Sequence, residues 1–255
     1  MRLKVETQGS GLDLVLIHGW GMNGAVWTDL VDRLVANYRV NVIELPGHGY
    51  SPYQADMDSL EQWAQACLDA APERAAWIGW SLGSQVCTQA ALLQPERVTH
   101  LVSVAGSPRF LQADDWSHGV PGGTLNGFAE TLRQAPRLTL ERFLALQVRG
   151  SDCARAVLRS LKANLNNRPA PQPEALDRGL ELLRSTDLRC RLAEISCPAL
   201  WLLGERDTLT PAAVVEDLAV LIPQAKMQVI KGAAHAPFLS HADEAITALQ
   251  SFLDE

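Results

Sequence analysis

In Ala75-Ala76-Trp77-Ile78-Gly79-Trp80-Ser81-Leu82-Gly83-Ser84 an apolar run of strand length ends at Gly79, and a helix-forming run opens directly after Ser81. One serine is thereby set on the turn between a strand and a helix, the Gly-x-Ser-x-Gly pattern of a nucleophile elbow. So sharp a turn forces the serine backbone into strained geometry. It also brings strand and helix together at Gly79 and Gly83, where a side chain would collide. The hydroxyl then stands clear of the sheet, and the Leu82 N–H points to where an oxyanion would form.

The chain around this turn alternates strands with helices. Residues 2–7 suit an edge strand, and Asp13–Ile17 is a short apolar run of the kind covered on both faces. It ends in the glycine-rich loop His18-Gly19-Trp20-Gly21. A helix around 25–36, a strand over 39–44, the turn-rich loop 45–51, a helix over 59–70 and the elbow strand from 75 follow. The elbow helix spans 82–93, and 98–105 is a further buried strand. The alternation predicts an α/β architecture, a mostly parallel sheet flanked by helices. Between Ser107 and about Arg191 no buried strand is visible. Helical periodicity fits 124–134, 139–148, 152–165 and 174–185. A core made of 1–107 and 191–255 is therefore expected, with 108–190 as a helical insertion that covers the serine as a lid. Strands resume at 198–204 and 226–230. Helices are expected from Pro211 and over 241–253.

A base and an orienting carboxylate must accompany the serine. Of six histidines, His235 alone lies just beyond a late strand, where ligands collect in open parallel sheets. His100, His118 and His241 read as surface or capping residues, and His18 as a structural residue of its loop. Asp207 holds the equivalent place after the preceding strand, in the order Ser…Asp…His, with Glu205 and Asp187 as competitors for the acid. The second oxyanion donor falls to the loop after strand 13–17, as the Trp20 N–H, with the Trp20 indole as one wall of the pocket.

Composition narrows the partners. The net charge of −7 argues against nucleic acid. Five scattered cysteines form no C-x-x-C pair and read as reduced thiols, with neither a disulfide frame nor a metal site expected. No leader-like or membrane-spanning run is present, so a cytoplasmic monomer without cofactor is expected. Against this acidic background the stretch from Arg133 to Arg168 holds eight basic residues and two acidic ones. Arg155 and Arg159, four apart, share a helix face. A one-signed lid suggests an anionic partner, either a substrate carboxylate or an acidic carrier protein met by Arg142, Arg155 and Arg159.

From end to end the chain resembles the α/β-hydrolases. In detail it is similar to the pimeloyl-[acyl-carrier protein] methyl ester esterases of biotin synthesis. The matching pieces are His18-Gly19-Trp20-Gly21, Gly79-Trp80-Ser81-Leu82-Gly83, Pro95-Glu96-Arg97-Val98, Glu141–Gln147 and Ala233-Ala234-His235-Ala236-Pro237-Phe238. The resemblance implies that Trp20, Leu82, Phe143, Leu144, Ala145, Leu146, Gln147 and His235 contact the acyl chain. It also implies hydrolysis of a methyl ester carried on acyl carrier protein. A broad short-chain carboxylesterase on the same triad is the alternative, and a non-catalytic small-molecule receptor the alternative from another class. Ser84 departs from the resemblance, standing where such enzymes commonly have a second glycine.

Overall fold

The computed structural model describes residues 2–255. Seven strands form one sheet: β1 (Val5–Gly9), β2 (Leu12–Ile17), β3 (Tyr38–Ile43), β4 (Ala75–Trp80), β5 (Val98–Val104), β6 (Ala199–Gly204) and β7 (Lys226–Ile230), in the order β1-β3-β2-β4-β5-β6-β7. All neighbours pair in parallel except β1, which runs antiparallel to β3 from Val5 opposite Ile43 to Gly9 opposite Arg39. That pairing shifts the first strand later than its 2–7 alternation suggests. Hydrogen bonding to β3 continues through Gly9, whose positive φ of 79° starts the turn into β2.

Successive residues of each central strand point to opposite faces, and both faces are covered. Val15, Ile17, Trp77, Trp201 and Leu203 enter one apolar core; Leu14, Leu16, Ile78, Trp80, Leu200 and Leu202 enter the other. Helices α2 (Leu60–Ala70), α3 (Leu82–Leu93) and α8 (Val214–Leu221) pack into the first core. Helices α1 (Thr28–Leu34) and α10 (Ala242–Leu253) pack into the second. Ser59 caps α2 in a reciprocal box with Gln62, which fixes where that helix begins. At its other end Arg97 donates to the carbonyls of Leu68, Ala71 and Pro72, which gives the Pro95–Val98 motif a structural task.

Three boundaries differ from the sequence expectation. The helix expected around 25–36 is split into a 3-10 turn, Gly24–Trp27, and α1. The helix expected from Pro211 starts at Val214, because residues 211–213 wind in tighter turns, their carbonyls accepting from the N–H groups of Val214, Val215 and Glu216 three residues on. A four-residue helix, α9 (Pro237–Ser240), precedes α10 in what the sequence shows only as the loop after His235.

Between β5 and β6 stand the four helices expected there: α4 (Gly122–Gln134), α5 (Pro136–Gln147), α6 (Ala154–Asn166) and α7 (Pro173–Ser185). The chain leaves and re-enters the sheet at one waist. There Arg109 and Asp187 form a β-bridge and an ion pair of 2.7 Å, and the Leu188 N–H donates to Pro108. Arg189 adds a second hold on Asp187, and these guanidinium bonds keep the Asp187 carboxyl down near pH 2. Further along, Arg168 reaches back to Glu6 at 2.6 Å and Glu44 at 3.7 Å, tying the α6–α7 linker to the sheet. Among the described residues no helix is long and apolar enough to cross a membrane.

Candidate active site

Four loops meet at the carboxyl ends of the strands, where a parallel sheet gathers its functional groups. Ser81 joins β4 to α3 without a linker, at φ 56° and ψ −117°. That conformation is costly for a residue with a side chain, and the surroundings hold it in place. The Ser81 N–H donates to the Val104 carbonyl at 3.0 Å. A Cβ on Gly79 would collide with the Gly83 carbonyl, and one on Gly83 with the carbonyls of Ile17 and His18. The two elbow glycines thus let helix, strand and the start of the loop after β2 touch backbone to backbone.

His235 lies beyond β7 and is 1% exposed. Its Nδ1 is 2.7 Å from Asp207 Oδ2, while Asp207 Oδ1 accepts from Leu209 and Thr210 at 2.8 and 3.0 Å. A carboxylate so oriented keeps the proton on Nδ1 and leaves Nε2 with its lone pair. Both His235 Nε2 and Ser81 Oγ are buried without a hydrogen-bond partner among the described residues. The histidine loop is fastened at both faces. Its N–H donates to the Gln147 carbonyl at 3.0 Å, and its carbonyl accepts from Trp80 Nε1 at 2.7 Å. The competitors for the acid are engaged elsewhere, Glu205 accepting from the Gly232 N–H and Asp187 held at the waist.

The loop after β2 approaches the serine closely: a Cβ at Gly19 would stand 3.2 Å from Ser81 Cβ. The N–H of Trp20 makes no hydrogen bond among the described residues, and Leu82, the first residue of α3, has no intrahelical acceptor for its own. Trp20 is buried, its indole N–H donating to Leu176 on α7 and its ring edge-on to Phe143 at 5.0 Å. Gly179 leaves room for that indole; a Cβ there would meet Trp20 Cδ1 at 2.7 Å.

Two further histidines brace this loop. His18 Nε2 accepts the Leu45 N–H at 3.1 Å, and His48 Nε2 accepts the Gly21 N–H at 3.3 Å; their Nδ1 atoms face the carbonyls of Gly19 and Pro46. Both rings are therefore neutral with the proton on Nδ1. Burial holds the pKa of His18 down to about 3, helped by the neighbouring His48, and burial alone holds that of His48 to about 4. Nothing in the sequence singles out His48 for this role, although it sits in the turn-rich loop 45–51.

Of the residues that resemblance placed against an acyl chain, Phe143, Leu144 and Gln147 are buried, and Phe128 adds a second ring on Phe143 at 5.8 Å. The set divides between two cores, Phe143 joining that of Trp20 and Leu82 and Leu144 the other. Leu146 is half-buried. Ala145 is exposed, turned about 200° around α5 from Phe143. Ser84 fits without disturbing the elbow helix, because its Oγ shares a 2.6 Å hydrogen bond with Ser103 and the chain beside it is Gly106. Arg142, Arg155 and Arg159 are exposed on the outer side of the insertion. No group of three or more described His, Cys, Asp or Glu residues could hold a metal ion.

Residues 14–242 match the family model of the alpha/beta hydrolase fold. The chain is 49% identical over 248 residues to a pimeloyl-[acyl-carrier protein] methyl ester esterase of Photobacterium profundum, covering 97% of both chains. It is 45% identical to the protein of that name from Serratia marcescens, covering 97% of this chain and 96% of the relative. The chain belongs to the α/β-hydrolase fold family, among its pimeloyl-[acyl-carrier protein] methyl ester esterases. Among solved structures of the α/β-hydrolase fold, a bromoperoxidase from Bacillus anthracis superposes with a TM-score of 0.91 at 24% identity, covering 99% of this chain and 95% of the other. An esterase from Exiguobacterium antarcticum follows at 0.89 and 21%, covering 99% and 96%. These distant likenesses concern the fold. Membership of the family makes this chain a carboxylic ester hydrolase that works through a serine, histidine and aspartate.

Proposed function

We propose that this chain hydrolyses the methyl ester of a pimeloyl group carried on acyl carrier protein, with Ser81 as nucleophile, His235 as base and Asp207 as its orienting acid. The observation that carries the assignment of roles is the 2.7 Å contact between Asp207 and His235 Nδ1, with the Nε2 lone pair left for the serine on the elbow. His235 takes the Ser81 proton as Oγ attacks the ester carbonyl, and the oxyanion is met by the Trp20 and Leu82 N–H groups. The tetrahedral intermediate collapses, and the proton on Nε2 leaves with methanol. Water, deprotonated by the same nitrogen, then splits the acyl-enzyme, releasing the carboxylate and restoring the serine. The apolar side chains around Trp20 and Phe143 suit a methylene chain, and the insertion over 108–190 serves as the lid that keeps solvent from the intermediate.

The carrier docks on the outer face of that lid, where Arg142, Arg155 and Arg159 stand exposed. Replacing Ser81 by Ala should lower kcat by roughly 10³-fold or more on any ester. Arg155→Glu with Arg159→Glu should raise KM for the carrier-bound ester far more than for a p-nitrophenyl ester. The carrier reaction should also weaken with salt, because exposed charges are screened beyond about 8 Å at physiological ionic strength. Equal loss on both substrates, or a carrier reaction indifferent to salt, would return the function to that of a general esterase.

A further inference from the structure

Among the described residues two that are not glycine have a positive φ, Ser81 at 56° and Ala105 at 47°. The elbow accounts for the first. Ala105, fully buried just after β5, has no part in the mechanism, so its strain needs a reason of its own. One peptide group links the two residues. The Val104 carbonyl accepts the Ser81 N–H at 3.0 Å, and the Ala105 N–H of the same peptide donates to Leu202 of β6 at 2.8 Å. The next residue presses on the elbow helix: a Cβ at Gly106 would lie 2.0 Å from Ser84 Oγ and 2.4 Å from Ser103 Oγ. The corner over 104–106 is thus the seat on which the elbow rests.

A further hydrogen bond leaves this corner for the acid loop. The Thr210 hydroxyl donates to the Ala105 carbonyl at 3.1 Å, and no other donor among the described residues meets that carbonyl. Thr210 is 1% exposed, so water offers neither group an alternative. The Thr210 N–H meanwhile donates to Asp207 Oδ1 at 3.0 Å, and Asp207 Oδ2 faces His235 Nδ1 at 2.7 Å. One residue therefore holds the corner with its side chain and the carboxylate with its backbone. An unbroken run of contacts joins the amide of the nucleophile to the ring of the base, through segments remote from one another in sequence.

We infer that Thr210 is a positioning residue: its hydroxyl pins the acid loop to the corner beneath Ser81, so that Asp207 and His235 keep their place relative to the nucleophile. The inference rests on Asp207 being the acid that orients His235. In the sheet, β6 lies between β5 and β7, and the loop after it is tied to both neighbours. Upstream of Asp207, the Glu205 and Arg206 N–H groups donate to the carbonyls of Ile230 and Ala233, on the side of the base. Downstream, Thr210 ties the loop to Ala105, on the side of the serine. Without the hydroxyl the Ala105 carbonyl loses its donor, and the second tie is gone. A displacement of roughly 1 Å between reacting groups is enough to slow a reaction by orders of magnitude.

The test compares Thr210→Val, Thr210→Ala and Thr210→Ser with the unaltered chain, on p-nitrophenyl acetate and by proton NMR. Valine and alanine should each lower kcat about tenfold with KM little changed, because orientation is lost and the pocket is not. The low-field resonance of the proton between His235 Nδ1 and Asp207, identified by its absence from His235→Ala, should broaden or move upfield in both. Thr210→Ser keeps the hydroxyl and should restore rate and resonance together. A threonine that only fills the core makes a different forecast: the melting temperature falls, while the resonance and the kcat of the folded protein stay as they were. That outcome in either variant overturns the assignment. So does failure of both to fold, which would make the hydroxyl a requirement of the fold itself. Full turnover by Asp207→Asn overturns instead the acid of the proposed mechanism, and is read from that variant alone.

Discussion

At Asp207 one carboxylate oxygen is occupied by two backbone N–H groups and the other by His235, so its side chain has no freedom to serve any other partner. Asp207→Asn should keep the fold and lose about 10⁴-fold in rate, since an amide turned to accept the same backbone bonds presents N–H to Nδ1 and forces the wrong tautomer. Glu205→Gln keeps an oxygen to accept the Gly232 N–H and should cost little in steady-state rate. If Glu205→Gln were the crippling change, the orienting acid would move there. The acid loop was legible in the sequence because it follows a strand in the right order. That order and place single out Asp207 over Glu205 and Asp187; what holds its carboxylate against the base was not legible. That depends on Leu209 and Thr210 folding back over Oδ1, a three-residue turn with no hydrophobic period to announce it. His48 was illegible for a similar reason: its bond to Gly21 joins two loops that are remote in sequence and adjacent only through the pairing of β2 with β3.

The helices of the lid were visible from their periodicity, but not the face each turns to the site. Gly179 illustrates what periodicity omits. It sits inside α7, where glycine costs about 1 kcal/mol relative to alanine, and its reason for being there is the Trp20 indole. Gly179→Ala should therefore destabilise rather than stabilise the protein, by about 1–3 kcal/mol as Trp20 or α7 gives way. It should also slow turnover of small and carrier-bound esters alike, since the displaced residue is the one proposed to donate its N–H to the oxyanion. A higher melting temperature with unaltered kcat would show that helix propensity outweighs the contact and that α7 does not locate Trp20. The same blindness explains Ala145. Phe143 through Gln147 read as one contiguous motif, yet a helix distributes five successive residues around its axis, so the motif buries its two ends, Phe143 against Trp20, and turns Ala145 in its middle to solvent.

For the molecule as a whole, His18 and His48 make stability depend on pH in a definite direction. Both are neutral in the fold with pKa values of about 3 and about 4, whereas the unfolded chain titrates near 6.5. Below pH 6.5 the unfolded state binds protons that the folded state refuses. The stabilisation is thus complete above that pH and is lost as pH falls toward 4 for His48 and 3 for His18. The loss is on the order of 3 kcal/mol for His48 alone. Urea unfolding at pH 7, 5.5 and 4.5 should show this decline, and His48→Gln, which keeps an acceptor for Gly21 but no titration, should flatten it. An unchanged slope in that variant would assign the decline to other groups.

The waist at Arg109 and Asp187 bears on how the chain assembles. Strands β5 and β6 are neighbours in the sheet, yet every residue of the lid lies between them in sequence, so their pairing closes the longest loop in the core. The entropy of such a closure rises only slowly with length, but finding the correct register at its end is a search. The antiparallel Arg109–Asp187 bridge and the Leu188–Pro108 hydrogen bond clasp the two stalks together beyond the end of β5, so the lid can be closed off as a loop of its own before Leu101 and Ala199 pair. Once that clasp is closed, the search left to β6 is that of the short segment between Asp187 and Ala199, and the loop that follows β6 then brings Asp207 to His235.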